Sequence, residues 1–282
     1  MCLTHPGCVA PTGDADPEPQ ATESEEDPPE ATLSVGELDQ AITDALALGL
    51  PEPVTASDWL WEVATEESAD PDACFSLTTV DTDTSLSWAG ICTHDTRNVE
   101  GTLLLAVSDR LTDEGARALS LSYLGSLDGT REDAAWSVGG TGIAEILETP
   151  GGLAFKAEVG GTYSLGAGWA TSAYDTSLAL DGAQVDGERA LSVEGGLTAP
   201  GQVSLYLRGL TFDTARCAAA PLGALSVRDP SSVWFEVVFG DACTGCGDVY
   251  WLDEAVGETC AGPALMAAAV AVVDRFAEEL GP

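Results

Sequence analysis

The chain has 282 residues, with 47 acids against 10 bases for a formal net charge of −37, and Lys156 is its only lysine. So negative a surface repels phosphate backbones and anionic lipid headgroups, which excludes nucleic acid and acidic membrane surfaces as expected partners and leaves cations, basic proteins or neutral glycans. The length suffices for one large core or two small ones, and no run of 18 apolar residues is present to span a bilayer.

Residues 1–6, MCLTHP, carry neither the basic n-region nor the apolar h-region of a signal peptide. Residues 9–32 are rich in Pro, Asp and Glu and hold no base. They cannot bury enough apolar surface to offset their ordering entropy, so residues 1–32 are expected to form a disordered tether, the 24 residues from 9 on reaching roughly 80 Å at full stretch. Gly7-Cys8 ahead of this acidic, Pro-rich stretch resembles the mature start of a bacterial lipoprotein. The resemblance implies that Cys8 is acylated and that a lipid anchor holds the domain off a membrane.

Residues 33–282 read as a single β-rich domain with a helical lead-in over 33–70. Ser34-Val35-Gly36-Glu37 is a capping box, and Leu38, Ile42, Ala45 and Leu46 recur on one helical face. A second short helix is expected over 56–66, begun by Ser57 or Asp58. Strands follow from Cys74 onward. Cys74 and Cys92 lie nearly equidistant from the polar corner 81–84, which predicts a disulfide closing a hairpin. Further strands are expected at 101–107, 118–123, 135–138, 153–159, 162–165, 177–180, 189–193 and 203–210. Asp128-Gly129, Pro150-Gly151-Gly152, Gly160-Gly161, Asp181-Gly182 and Asp186-Gly187 are read as their connectors. Such spacing predicts a mainly β fold: a large antiparallel meander forming a curved sheet, sandwich or open barrel, with an N-terminal and a C-terminal helix packed on it.

Residues 217–262 hold four of the eight cysteines and three strand-like runs. In a meander alternate turns fall at one rim, which brings Cys217 toward Cys243, while Cys246 and Cys260 flank the corner at Asp253 symmetrically. Four cysteines permit three pairings, and this mirror argument selects Cys217 with Cys243 and Cys246 with Cys260. The chain ends in a helix over 263–280, opened by Pro263, whose first ten residues after the proline carry no charge. It is expected to lie across the sheet or plug an open barrel end.

Chemistry-bearing motifs are sparse. Cys243-Thr244-Gly245-Cys246-Gly247 resembles a zinc knuckle, which with Cys217 and Cys260 implies a four-cysteine zinc site, or a redox CxxC, as alternatives to disulfides. Asp81 and Asp83, with Asp109, Asp113 and Glu114, are an alternative calcium set, weighed against plain hydrated turns. His94 beside Asp95 is a surface imidazole with no nucleophile in frame, and no catalytic residue is assigned. Two or more tryptophans on one outer face would make a glycan or peptide platform. The placement of the cysteines, with LSVRDP and CxxCG, resembles cysteine-stapled lipoproteins of bacterial cell envelopes. That resemblance implies no known activity, and the leading expectation is an exported, surface-tethered, non-enzymatic protein with a structural or partner-binding role and no cofactor. A glycan-acting envelope hydrolase and an intracellular zinc-binding interaction module are the alternatives.

Overall fold

The computed structural model describes residues 31–46, 50–66, 75–94, 97–131, 134–164, 174–198 and 203–280. Cys8, Cys74, Asp95, Trp169 and residues 1–30 of the expected tether lie outside the described residues, as do the side chains of Cys92 and His94.

Among the described residues thirteen strands follow one another: β1 Phe75–Val80, β2 Asp83–His94, β3 Arg97–Leu111, β4 Arg117–Arg131, β5 Ala134–Thr149, β6 Gly152–Ser164, β7 Tyr174–Val185, β8 Glu188–Thr198, β9 Ser204–Asp213, β10 Cys217–Arg228, β11 Trp234–Phe239, β12 Gly247–Trp251 and β13 Glu254–Thr259. Each pairs antiparallel with the next in one open, unclosed meander. Several corners are two-residue hairpin turns. Asp81-Thr82 closes on Val80 and Asp83, Asp186-Gly187 on Val185 and Glu188, and Leu252-Asp253 on Trp251 and Glu254. Asp186 and Gly187 both have positive φ, the conformation that matches the twist of adjoining strands.

The central strands are about twice as long as the alternation in sequence predicts. Asp128-Gly129, Gly160-Gly161 and Asp181-Gly182 are not connectors: they lie inside β4, β6 and β7. Several glycines instead form a line across the sheet. Gly90 pairs with Gly101, Gly125 with Gly140, and Gly140 with Gly161. The line continues through Gly195 toward Gly223, and all of these have positive φ. Such residues kink a strand without ending it, so the sheet bends along this line.

The face on which these glycines sit is the buried one. Leu86, Leu103, Leu105, Leu121, Ile146, Phe155, Leu180, Val193, Leu207, Leu225 and Phe235 project from it into one continuous apolar cluster. Three helices among the described residues cover it. Helix α1, Val35–Leu46, buries Leu38, Ile42, Ala45 and Leu46, and the Ser34 amide donates to Glu37 at 2.8 Å at its start. Helix α2, Pro53–Glu66, begins three residues ahead of the expected residue 56. Pro53 suits its first position, and buried Glu52 caps it, accepting from the Val54 and Thr55 amides at 2.6 and 2.9 Å. Helix α3, Gly262–Leu280, lies across the sheet, burying Leu265, Met266, Ala269, Val272, Val273 and Phe276. The Phe276 ring stacks on Phe155 with centroids 3.9 Å apart.

Arginines fix that last helix. Arg189 on β8 bonds Asp274 at 2.5 Å, Arg275 pairs with Asp58 of α2, and Arg117 of β4 donates to the Leu280 carbonyl. A chain with ten bases thus commits two of them to holding this helix to the sheet and a third to holding it to α2.

Candidate binding face and stapled rim

Strand alternation fixes what the opposite, uncovered face displays. Following the register from β2 to β9, one row reads Asp83, Ser108, Ser120, Glu145, Lys156, Asp181, Ser192, Thr211. The next reads Ser85, Ala106, Ser122, Ile143, Glu158, Ala179, Glu194. Small side chains make up about half of each row, and the surface above them is hollowed into three adjoining depressions of about 490, 440 and 440 Å³. Together they form a trough running across the strands from β1 to β8.

The trough mixes charges and hydroxyls with apolar surface, to which the exposed side chains of Val80, Ile143 and Leu147 contribute. Lys156 lies 3.3 Å from Asp181 and directly opposite Glu145 in register. Asp83 accepts from the Ser108 hydroxyl at 2.6 Å and from Arg110 at 2.9 Å. Those bonds, the serine first, hold its carboxyl below the usual range. Asp81, the other residue of the calcium alternative, sits in the adjacent turn at φ 54°, so the pair is split between a turn and an ion-paired strand position. Asp109 is likewise engaged by Arg117 at 2.8 Å.

Farther along the same face, on β9 to β11, Tyr206 and Trp234 are 41% and 48% exposed. Arg208 lies over the Tyr206 ring and Arg228 over the Trp234 ring, each 5.9 Å from the centroid, and Arg208 reaches Glu236 at 3.6 Å. The tryptophans divide otherwise: Trp88 is buried on the inner face, and Trp251 tilts against Phe235. Trp234 is therefore the one tryptophan on the outer face among the described side chains.

The cysteines of 217–262 gather at one rim as two disulfides, Cys217–Cys243 with Cα atoms 5.5 Å apart and Cys246–Cys260 with Cα atoms 3.9 Å apart. Arg216 and Asp241, bonded at 2.7 Å, tie the same two loops. The Glu258 carboxylate lies within 4.8 Å of the Cys246 and Cys260 sulfurs. Bonded sulfurs carry no thiolate charge with which to ligate zinc, so a zinc site built from all four cysteines requires the reduced chain.

One functional-looking group has no counterpart among the motifs of the sequence. Asp229, buried in the turn between β10 and β11, accepts from the Ser231 hydroxyl and the Val233 amide, both at 2.8 Å, and from the amide and hydroxyl of Thr32 at 2.7 and 3.0 Å. Burial alone would raise its pKa, but these four donors together bring it down to about 2. The carboxylate latches the end of the tether onto the sheet. The composition Asp-Pro-Ser-Ser signals the turn; the partner 197 residues away leaves no local mark.

Protein-family models, curated proteins and solved structures were compared with the chain, and none matches it.

Proposed function

We propose that the chain is an exported, surface-tethered, non-enzymatic binding protein that presents the open face of its sheet to a polar partner. The observation that carries this reading is the asymmetry of the sheet: among the described residues one face lies beneath three helices, while the other is uncovered and hollowed into a trough of serine, alanine, mixed charges and the half-exposed Ile143 and Leu147. Hydroxyls, carboxylates and one ammonium in register suit a hydrogen-bonding ligand laid across the strands, such as a neutral glycan. The two disulfides support an oxidising compartment. No helix among the described residues is long and apolar enough to cross a membrane, which accords with attachment through the tether and Cys8.

Fractionation of cells expressing the full gene, followed by non-reducing peptide mapping, tests the reading. The expected result is protein in the extracytoplasmic fraction, linked 217–243 and 246–260, with a lipid mass on Cys8. Cytosolic protein carrying four reactive thiols and one bound zinc would overturn it in favour of the zinc module. Release of reducing ends from purified envelope glycan would overturn the non-enzymatic part alone.

A further inference from the structure

The two edges of the meander are treated differently. The β13 edge carries Glu254 and Glu258, and α1 leans over it: a β-carbon on Gly257 would come within 2.9 Å of Val35. Residues 254–258 are exposed, as residues 76–80 of β1 are, so it is the two acids, with the contact from α1, that discourage this edge from pairing with foreign strands. At the other edge, β1 reads FSLTTV, without charge, proline or glycine, and Ser76 to Val80 are all exposed. Among the described residues nothing pairs with its outer side.

The backbone groups that face outward follow from the hairpin. A two-residue turn makes its closing pair, Val80 with Asp83, the doubly hydrogen-bonded one. Alternation then directs the N–H and C=O groups of Thr78 and Ser76 toward β2 and those of Thr79 and Leu77 away from it. The side chains are ordered too. Leu77 ends an inner-face row that continues into Leu86 and Leu105, both fully buried, yet Leu77 itself is 52% exposed. Among the described residues the apolar layer runs out to this edge and stops uncovered.

We propose that β1 accepts an added strand: an extended peptide segment of another protein, alternating apolar residues with Ser or Thr and flanked by Lys or Arg. Main-chain bonds to Leu77 and Thr79 hold it, an apolar side chain beside Leu77 completes the inner row, and small hydroxyl residues lie beside Ser76 and Thr78. Two observations select a peptide over a second copy of this chain. A six-residue strand falls well short of the roughly 20–30 residues a side of a stable dimer interface. Two bodies of charge −37 also repel, whereas a basic segment is drawn in. The site adjoins the β1 end of the trough, whose last depression Thr78 and Val80 line, but its main-chain bonds do not depend on what the trough binds or on where the protein resides.

The test uses the full chain and a fluorescein-labelled octapeptide, Lys-Thr-Val-Ser-Val-Thr-Val-Lys, read by anisotropy. Saturable binding that weakens as salt rises is expected. Thr79→Pro, which removes an outward amide and no β1–β2 bond, should weaken it at least tenfold, and Leu77→Ser severalfold, with unchanged circular dichroism. An octapeptide N-methylated at alternate residues should not bind the unaltered protein, whatever the fate of the proline variant. Absence of saturable binding, equal binding by the N-methylated probe, or β1-dependent self-association that strengthens with salt in sedimentation would overturn the proposal.

Discussion

Gly140 and Gly161 pair directly across β5 and β6, and each holds open the space its partner's strand needs. A β-carbon on Gly140 would lie 2.1 Å from the Gly160 carbonyl oxygen, and one on Gly161 would lie 2.1 Å from that of Gly139. Neither backbone can yield without breaking the ladder. Gly140→Ala and Gly161→Ala should each cost about 2 kcal/mol or more, through strain at positive φ as well as the clash. Gly196→Ala, where the nearest atom would be 3.6 Å away, should change stability by less than about 1 kcal/mol. Urea midpoints of the three variants decide the matter.

That pair also shows where the sequence can be read and where it cannot. Alternation such as Leu119-Ser120-Leu121-Ser122-Tyr123 marks strands and their buried face, and the uncharged run after Pro263 marks the final helix, because both patterns are local. A glycine, however, reports only that the backbone does something unusual. Asp186-Gly187 turns the chain and Gly160-Gly161 merely bends it, a distinction that depends on which strand lies alongside. The trough is illegible for a related reason: its rows join residues from eight strands, and no single segment contains more than two or three of them.

Two buried carboxyls should pull stability in opposite directions with pH. Asp229 has its pKa lowered from 3.8 to about 2, so its contribution is fully present above 3.8 and is lost as pH falls through about 2. The span corresponds to about 2 kcal/mol. Glu52 has its pKa raised, chiefly by burial, so it favours the folded state below the ordinary 4.5 and that advantage fades as pH rises toward the raised value. Asp229→Asn should flatten the acid limb of a stability-pH curve and expose the chain near Thr32 to protease. Glu52→Gln should leave that limb intact and remove the decline above pH 4.5. Urea titrations between about pH 2 and 7 separate the two.

The disulfides close loops of sequence separation 26 and 14. Chain-entropy arguments assign each about 3 kcal/mol. Cys246→Ser with Cys260→Ser should lower stability by about that amount while β1 to β9 keep their pairing. The Cys217→Ser, Cys243→Ser pair should do the same and loosen residues 240–244, leaving that loop held by the Arg216–Asp241 bond at one end and by Cys246–Cys260 and the Gly262 amide on the Gly245 carbonyl at the other. Chemical denaturation with and without reductant provides the measurement, and hydrogen exchange locates the change.

The hairpin between β12 and β13 turns through Leu252 and Asp253, at φ 48° and 63°. Left-handed backbone at a leucine is unfavourable, because its β-carbon crowds the adjoining carbonyl, and here the side chain is 70% exposed and gains little from packing. Asn-Gly prefers the same geometry and costs the folded state nothing in strain. Leu252→Asn with Asp253→Gly should therefore stabilise the protein by about 1 kcal/mol. Since the turn sits between Cys246 and Cys260, the gain should persist when that disulfide is replaced by serines, for the strain is local to the turn and not imposed by the crosslink. A gain that vanished in the serine background would place the origin of the left-handed pair in the crosslink instead.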